Sequence, residues 1–130
     1  EVVRSGNVSG VGATVHYVVQ NLPEDFAQIN AQDLKAQLND VVILDVRTAE
    51  EIEANGAFEG AIHIPLNELL ARQDEWPAPN ARIITVCSSG YRGNMAMTIL
   101  RAHGYTNVQN LRNGFAAWQE AGFAGDGEGE

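Results

Sequence analysis

Ile83-Ile84-Thr85-Val86-Cys87-Ser88-Ser89-Gly90-Tyr91-Arg92 is the stretch on which the reading of this chain turns. Residues 83–86 are all β-branched, which predicts a strand buried on both faces. The chain then breaks into small and polar residues, and a helical pattern follows that ends at Gly104, a good residue just past a helix. In that helix Met95, Ile99 and Leu100 are expected to face the core. Strand, tight loop and helix in this order put Cys87 at the carboxyl end of a strand, where open α/β sheets bind their ligands. Such a loop turns N–H groups inward as a nest, and the helix adds its positive end. Both stabilise a thiolate at the mouth of the domain. Arg92 closes the loop with a fork suited to an oxyanion, and Ser88 and Ser89 offer hydroxyl donors. Taken singly, Cys87 reads as a small buried hydrophobe, Arg92 as a surface ion pair, Tyr91 as packing and the serines as loop polarity. Their combination directly behind a strand marks a site.

The flanking sequence extends the pattern. Asn30 is placed to cap a helix in which Leu34 and Leu38 share a face. Residues 41–44 are a continuous apolar run ending in Asp45, a second buried strand. Thr48 and Glu51 make a capping box and start another helix. Residues 61–64 predict a short strand stopped by Pro65, and residues 67–72 a short helix before a loop holding Pro77 and Pro79. Residues 108–111 are the last strand. Gly114 opens a final helix with Phe115 and Trp118 inward, and Gly122 ends it. Short strands alternating with helices imply a single α/β domain, a mostly parallel sheet of about five strands with helices on both faces. The domain is expected over residues 26–123. Residues 1–25 read as an N-terminal extension or linker. Residues 124–130 read as a disordered acidic tail with little to bury. The absence of an initial methionine reads as processing or as a domain cut from a longer chain.

Charge narrows the partners. The 130 residues carry a formal net charge of −9, which argues against nucleic acid and anionic membranes. A small anion also meets an unfavourable long-range field, so an anion site has to win locally. A single cysteine permits no internal disulfide, and a reactive thiol favours a reducing compartment. His16, His63 and His103 lack the spacing of a zinc site. His63 is expected to be a satisfied structural histidine, and His103 to interact with a helix C-terminus. Asp45 and Arg47 are expected to form a buried ion pair that supports the site by fixing the first strand-to-helix turn. Trp76 and Trp118 read as packing residues.

The segment from Cys87 to Arg92 resembles the active-site loop of rhodanese (sulfurtransferase) domains, C-x-x-G-x-R. Leu44-Asp45-Val46-Arg47, Gly60-Ala61-Ile62-His63-Ile64-Pro65 and Leu111-Arg112-Asn113-Gly114-Phe115-Ala116-Ala117-Trp118 resemble three further motifs of that family, in the family's order. The resemblance implies that Cys87 takes a sulfane sulfur from a small anionic donor such as thiosulfate, becomes a persulfide, and passes the sulfur to cyanide or a thiol. It implies a cradle made by Ser88, Ser89, Gly90, Tyr91, Arg92 and Gly93, and no metal or organic cofactor. An adjacent domain in a longer chain is the remaining expected partner. Four residues between Cys87 and Arg92 resemble the sulfur-handling branch, whereas phosphatase and arsenate-reducing relatives resemble C-x5-R. The chain departs from the family at Ser88, where many thiosulfate-active members carry Arg or Lys. It also departs over residues 56–59, where Gly-His-Ile-Pro is usual, and at Gly93 and Asn113. The missing charge at Ser88 leaves a second reading: a sulfur-carrier or regulatory module with little turnover.

Overall fold

β-Branched runs form the middle of a parallel sheet. The computed structural model describes residues 27–123; the extension over 1–25 and the tail over 124–130 lie outside the described residues. The described residues form five strands: β1 (Gln28–Ile29), β2 (Val42–Asp45), β3 (Ile62–His63), β4 (Ile83–Val86) and β5 (Val108–Leu111). Their order is β1-β5-β4-β2-β3, and every pairing is parallel. Among the described residues three α-helices lie between strands, α1 (Ala31–Gln37), α2 (Ala49–Asn55) and α3 (Tyr91–Ala102), and a fourth, α4 (Gly114–Glu120), follows β5.

The central strand β4 shows why the apolar run is continuous. Ile83 and Cys87 point into one cluster with Leu44, Val46, Met97, Leu100 and Val108. Ile84 and Val86 point into the other, with Ile29, Leu34, Ile43, Phe58, Phe115 and Trp118. Helix α3 covers the first face, and α1 and α4 cover the second. Burying each large apolar side chain contributes about 1.5–3 kcal/mol.

The capping box at α2 forms in both directions: Glu51 N donates to Thr48 Oγ1 at 3.2 Å, and Thr48 N donates to Glu51 Oε1 at 2.8 Å. Asp45 and Arg47 are a buried pair, with Arg47 Nη2 2.7 Å from Asp45 Oδ2 and Nε 2.9 Å from Oδ1. His63 Nε2 lies 2.7 Å from Arg47 O, and His103 Nδ1 lies 2.9 Å from Ile99 O in the last turns of α3. Trp118 is buried and Trp76 is half-buried, its Nε1 donating to Leu69 O at 3.0 Å.

Three local expectations are corrected, and one strand is added. Met95 is 54% exposed, and Gly93, Ala96, Met97 and Leu100 form the inward stripe of α3. The helix expected over residues 67–72 is instead two 3-10 segments, Leu66–Glu68 and Leu70–Glu75, with Arg72 off helical geometry between turns. Asn30 stands at the start of α1, but its side chain makes no cap hydrogen bond; Oδ1 accepts from Arg112 Nε at 3.1 Å. The edge strand β1 was not expected, because two residues carry no pattern of period two.

Candidate active site

The register of β2 against β4 sets Asp45 beside Val86, so Cys87 emerges just past the sheet. The loop after it is held from three sides.

Helix α4 holds it by the backbone. Phe115 N donates to Cys87 O at 2.7 Å, and Ala116 N donates to Ser88 O at 3.0 Å. That approach requires glycine at position 114. Its φ is +66°, and a Cβ there would lie 2.4 Å from Cys87 O and 2.6 Å from Ser88 C and O. Because a trans peptide points its N–H opposite its C=O, these bonds turn the Ser88 and Ser89 N–H groups away from α4.

A buried polar network braces the loop from beneath. Asn110 on β5 is fully buried; its Nδ2 donates to Gln28 Oε1 at 3.0 Å and lies 3.4 Å from Gly90 O. Thr85 Oγ1 donates to Gly93 O at 2.8 Å, with Asn110 Oδ1 3.1 Å away. Gly93 is therefore set in the first turn of α3, pressed on Asn110: a Cβ there would lie 2.0 Å from Asn110 Oδ1.

Glu51 ties the two ends of the loop together from α2. Ser88 Oγ donates to Glu51 Oε2 at 2.9 Å. Arg92 donates through Nη1 to Oε1 at 2.8 Å and through Nη2 to Oε2 at 2.7 Å. These Arg92 bonds, with those from Thr48 and Ser88, hold the Glu51 carboxyl well below the usual carboxylate range against the opposing effect of burial. The same partner raises the Arg92 guanidinium above its ordinary value. The pair is partly open to water, with side chains 32% and 28% exposed.

Within this frame the Cys87 thiol accepts the Gly90 N–H at 3.0 Å, and the residue is only 1% exposed. The expectation of a sulfur at an open mouth is corrected: it lies on the floor of the loop, which folds over it through Gly90. Ser89 is exposed, and Tyr91 is 78% exposed at the outer rim. The Arg92 fork, expected for an oxyanion, is engaged by Glu51. Asp45 and Arg47 reach the loop only indirectly. Arg47 stacks its guanidinium 4.2 Å from the Phe115 ring centroid and donates to Gly56 O at 3.0 Å, and Phe115 carries the N–H that holds Cys87 O.

Sequence reasoning missed Asn110, Thr85 and the loop-facing role of Glu51. Asn110 had a signal, a polar residue at a buried position of a strand. Glu51 had none beyond its cap, because its loop partner Ser88 is 37 positions away.

This fold and loop define a small α/β domain with one buried cysteine at the carboxyl edge of its sheet. The sequence profile of the Rhodanese-like domain matches residues 30–121, and the chain belongs to that family. Among its relatives is YrkF of Bacillus subtilis, provisionally named a sulfur carrier protein, 38% identical over 58% of this chain and 40% of that one. Another is the thiosulfate:glutathione sulfurtransferase of Homo sapiens, 30% identical over 60% of this chain and 78% of that one. The chain spans about half the length of some curated relatives, 55% for one from Arabidopsis thaliana. The crystal structure of a rhodanese-related protein from Thermoplasma volcanium superposes with a TM-score of 0.69 at 28% identity, covering 75% of this chain and 94% of that one.

Proposed function

We propose that this domain transfers sulfane sulfur through a persulfide on Cys87. The observation that carries the reading is the hydrogen bond from Gly90 N to Cys87 Sγ, within a loop whose Cys87 and Ser88 carbonyls are drawn off by α4. An N–H aimed at sulfur favours negative charge there, as an oxyanion hole favours it on oxygen. Cys87 is the one cysteine among these 130 residues, so within them the sulfur has no second thiol to move to. In the first half-reaction the thiolate attacks the outer sulfur of thiosulfate, the S–S bond breaks, and sulfite leaves with the electron pair. In the second, cyanide or a thiolate takes the outer sulfur and returns the Cys87 thiolate. Ser88, Ser89, Gly90, Tyr91, Arg92 and Gly93 form the cradle, and Asp45 and Arg47 hold its base.

A second reading, a sulfur carrier with little turnover, is favoured by one observation: the loop has Ser88 in place of a cation, and Arg92 is already paired. The name of the Bacillus relative agrees with it. The test is intact mass after incubation with thiosulfate. One added sulfur, removed by cyanide and absent in Cys87→Ser, is expected. Repeated thiocyanate release supports the transferase, and stoichiometric loading without turnover supports the carrier. No sulfur uptake from any sulfane donor sinks both.

A further inference from the structure

The loop's one guanidinium is already occupied. Arg92 donates two hydrogen bonds to the Glu51 carboxylate, and Ser88 adds a third. Glu51 is also anchored from behind, since its Oε1 accepts the Thr48 backbone N–H at 2.8 Å. Arg92 and Glu51 therefore cancel at the loop, in a chain whose net charge is −9. A dianion entering here meets a carboxylate where a cation would otherwise receive it. To gain Arg92 it must displace Glu51 and leave that carboxylate close by. A monoanion suffers half that repulsion, because Coulomb energy scales with the charge product.

We infer that Glu51 sets the charge limit of the sulfur site, so that it takes sulfur from donors carrying at most one negative charge, such as organic persulfides, in preference to dianions such as thiosulfate. This rests on the sulfur-transfer reading above. The chemistry balances without an added oxidant or reductant. Cys87 thiolate attacks the outer sulfur of R–S–S−, the S–S bond breaks, R–S− departs with the electron pair, and the sulfane sulfur remains on Cys87 as an anionic persulfide. Glu51 touches none of the reacting atoms; it is a specificity-determining residue.

The test compares two stable donors, thiosulfate (a dianion) and benzenethiosulfonate (a monoanion), with cyanide as acceptor and thiocyanate as readout. Glu51→Gln removes the charge and keeps the capping box, which accepts Gln at that position. The expected result is a rise of about tenfold in kcat/KM for thiosulfate, carried by KM, and a rise of only about threefold for benzenethiosulfonate. Thr48→Ala removes the side-chain half of the cap but leaves the Glu51–Arg92 pair, and it is expected to keep the native donor ratio. An unchanged ratio in Glu51→Gln, with Cys87 still loading sulfur, overturns the inference alone. So does the same shift in Thr48→Ala, which would place the effect in the stability of α2. Failure of both donors to add sulfur to Cys87 in the native protein takes the sulfur-transfer reading down with it.

Discussion

Gly114→Ala is expected to strike the loop without touching any side chain in it. Two costs add. The residue sits at φ +66°, in the left-handed region, which costs an alanine about 1–2 kcal/mol. The new Cβ would also stand 2.4 Å from Cys87 O and 2.6 Å from Ser88 C and O, all backbone atoms that no rotamer change relieves. Overpacking of that kind costs about 1–3 kcal/mol, so the total is about 3 kcal/mol. Gly104→Ala is the control: its φ is +95°, but nothing lies within 4 Å of the added carbon, so it carries the backbone cost alone. Urea unfolding of both variants separates the two terms. Gly114→Ala should lose about 2 kcal/mol more than Gly104→Ala, and its folded fraction should load sulfur on Cys87 more slowly, because relief of the clash pushes the Cys87 and Ser88 carbonyls off the α4 N–H groups. Equal destabilisation by the two substitutions would refute the claim that α4 shapes the loop by close approach.

Three further outcomes follow from the same contacts. Met97→Ala should cost about 2–5 kcal/mol in urea unfolding and Met95→Ala less than about 0.5, because the first empties a buried site and the second trims an exposed one. Asp45→Asn should destabilise by about 3–5 kcal/mol, since it strands the buried Arg47 guanidinium, and the shift of the denaturation midpoint checks it. The Glu51 carboxyl is held low by Arg92 when folded, so its contribution is present above the unfolded value and lost as pH falls through the folded one. Stability should therefore drop below about pH 4, and Glu51→Gln should flatten that part of the pH profile.

The inner strands were legible because they are buried on both faces. Ile83 faces one apolar cluster and Ile84 and Val86 the other, so the run reads as β-branched throughout, Thr85 included. The edge strand β1 is two residues long, too short for a period to register, whereas β3, also two residues, was legible from the apolar run that Pro65 stops. The phase of α3 was misread between two methionines two positions apart. What decides it is tertiary: Gly93 has to press against Asn110, and that contact puts Met97 inward four residues later. Cys87 was legible from strand, loop and helix. Its burial was not, since the closing contact is a backbone N–H from Gly90 that leaves no mark in side-chain pattern.

The buried sulfur raises the question of which tether gives when a donor arrives. The carbonyls of Cys87 and Ser88 are held by N–H groups of α4, and Gly93 O is held by buried Thr85. Releasing any of these leaves a buried polar group unpaired, at about 1–3 kcal/mol each. The Glu51 contacts are different: the side chains are partly solvated, and water replaces each bond as it opens. Pairs of that kind contribute about 0–1 kcal/mol net. The cheapest opening therefore swings Ser88 and Arg92 off Glu51 while the floor of the loop keeps its shape. The opening that costs least is the one that frees the guanidinium, and it leaves the Gly90 N–H on Cys87 Sγ.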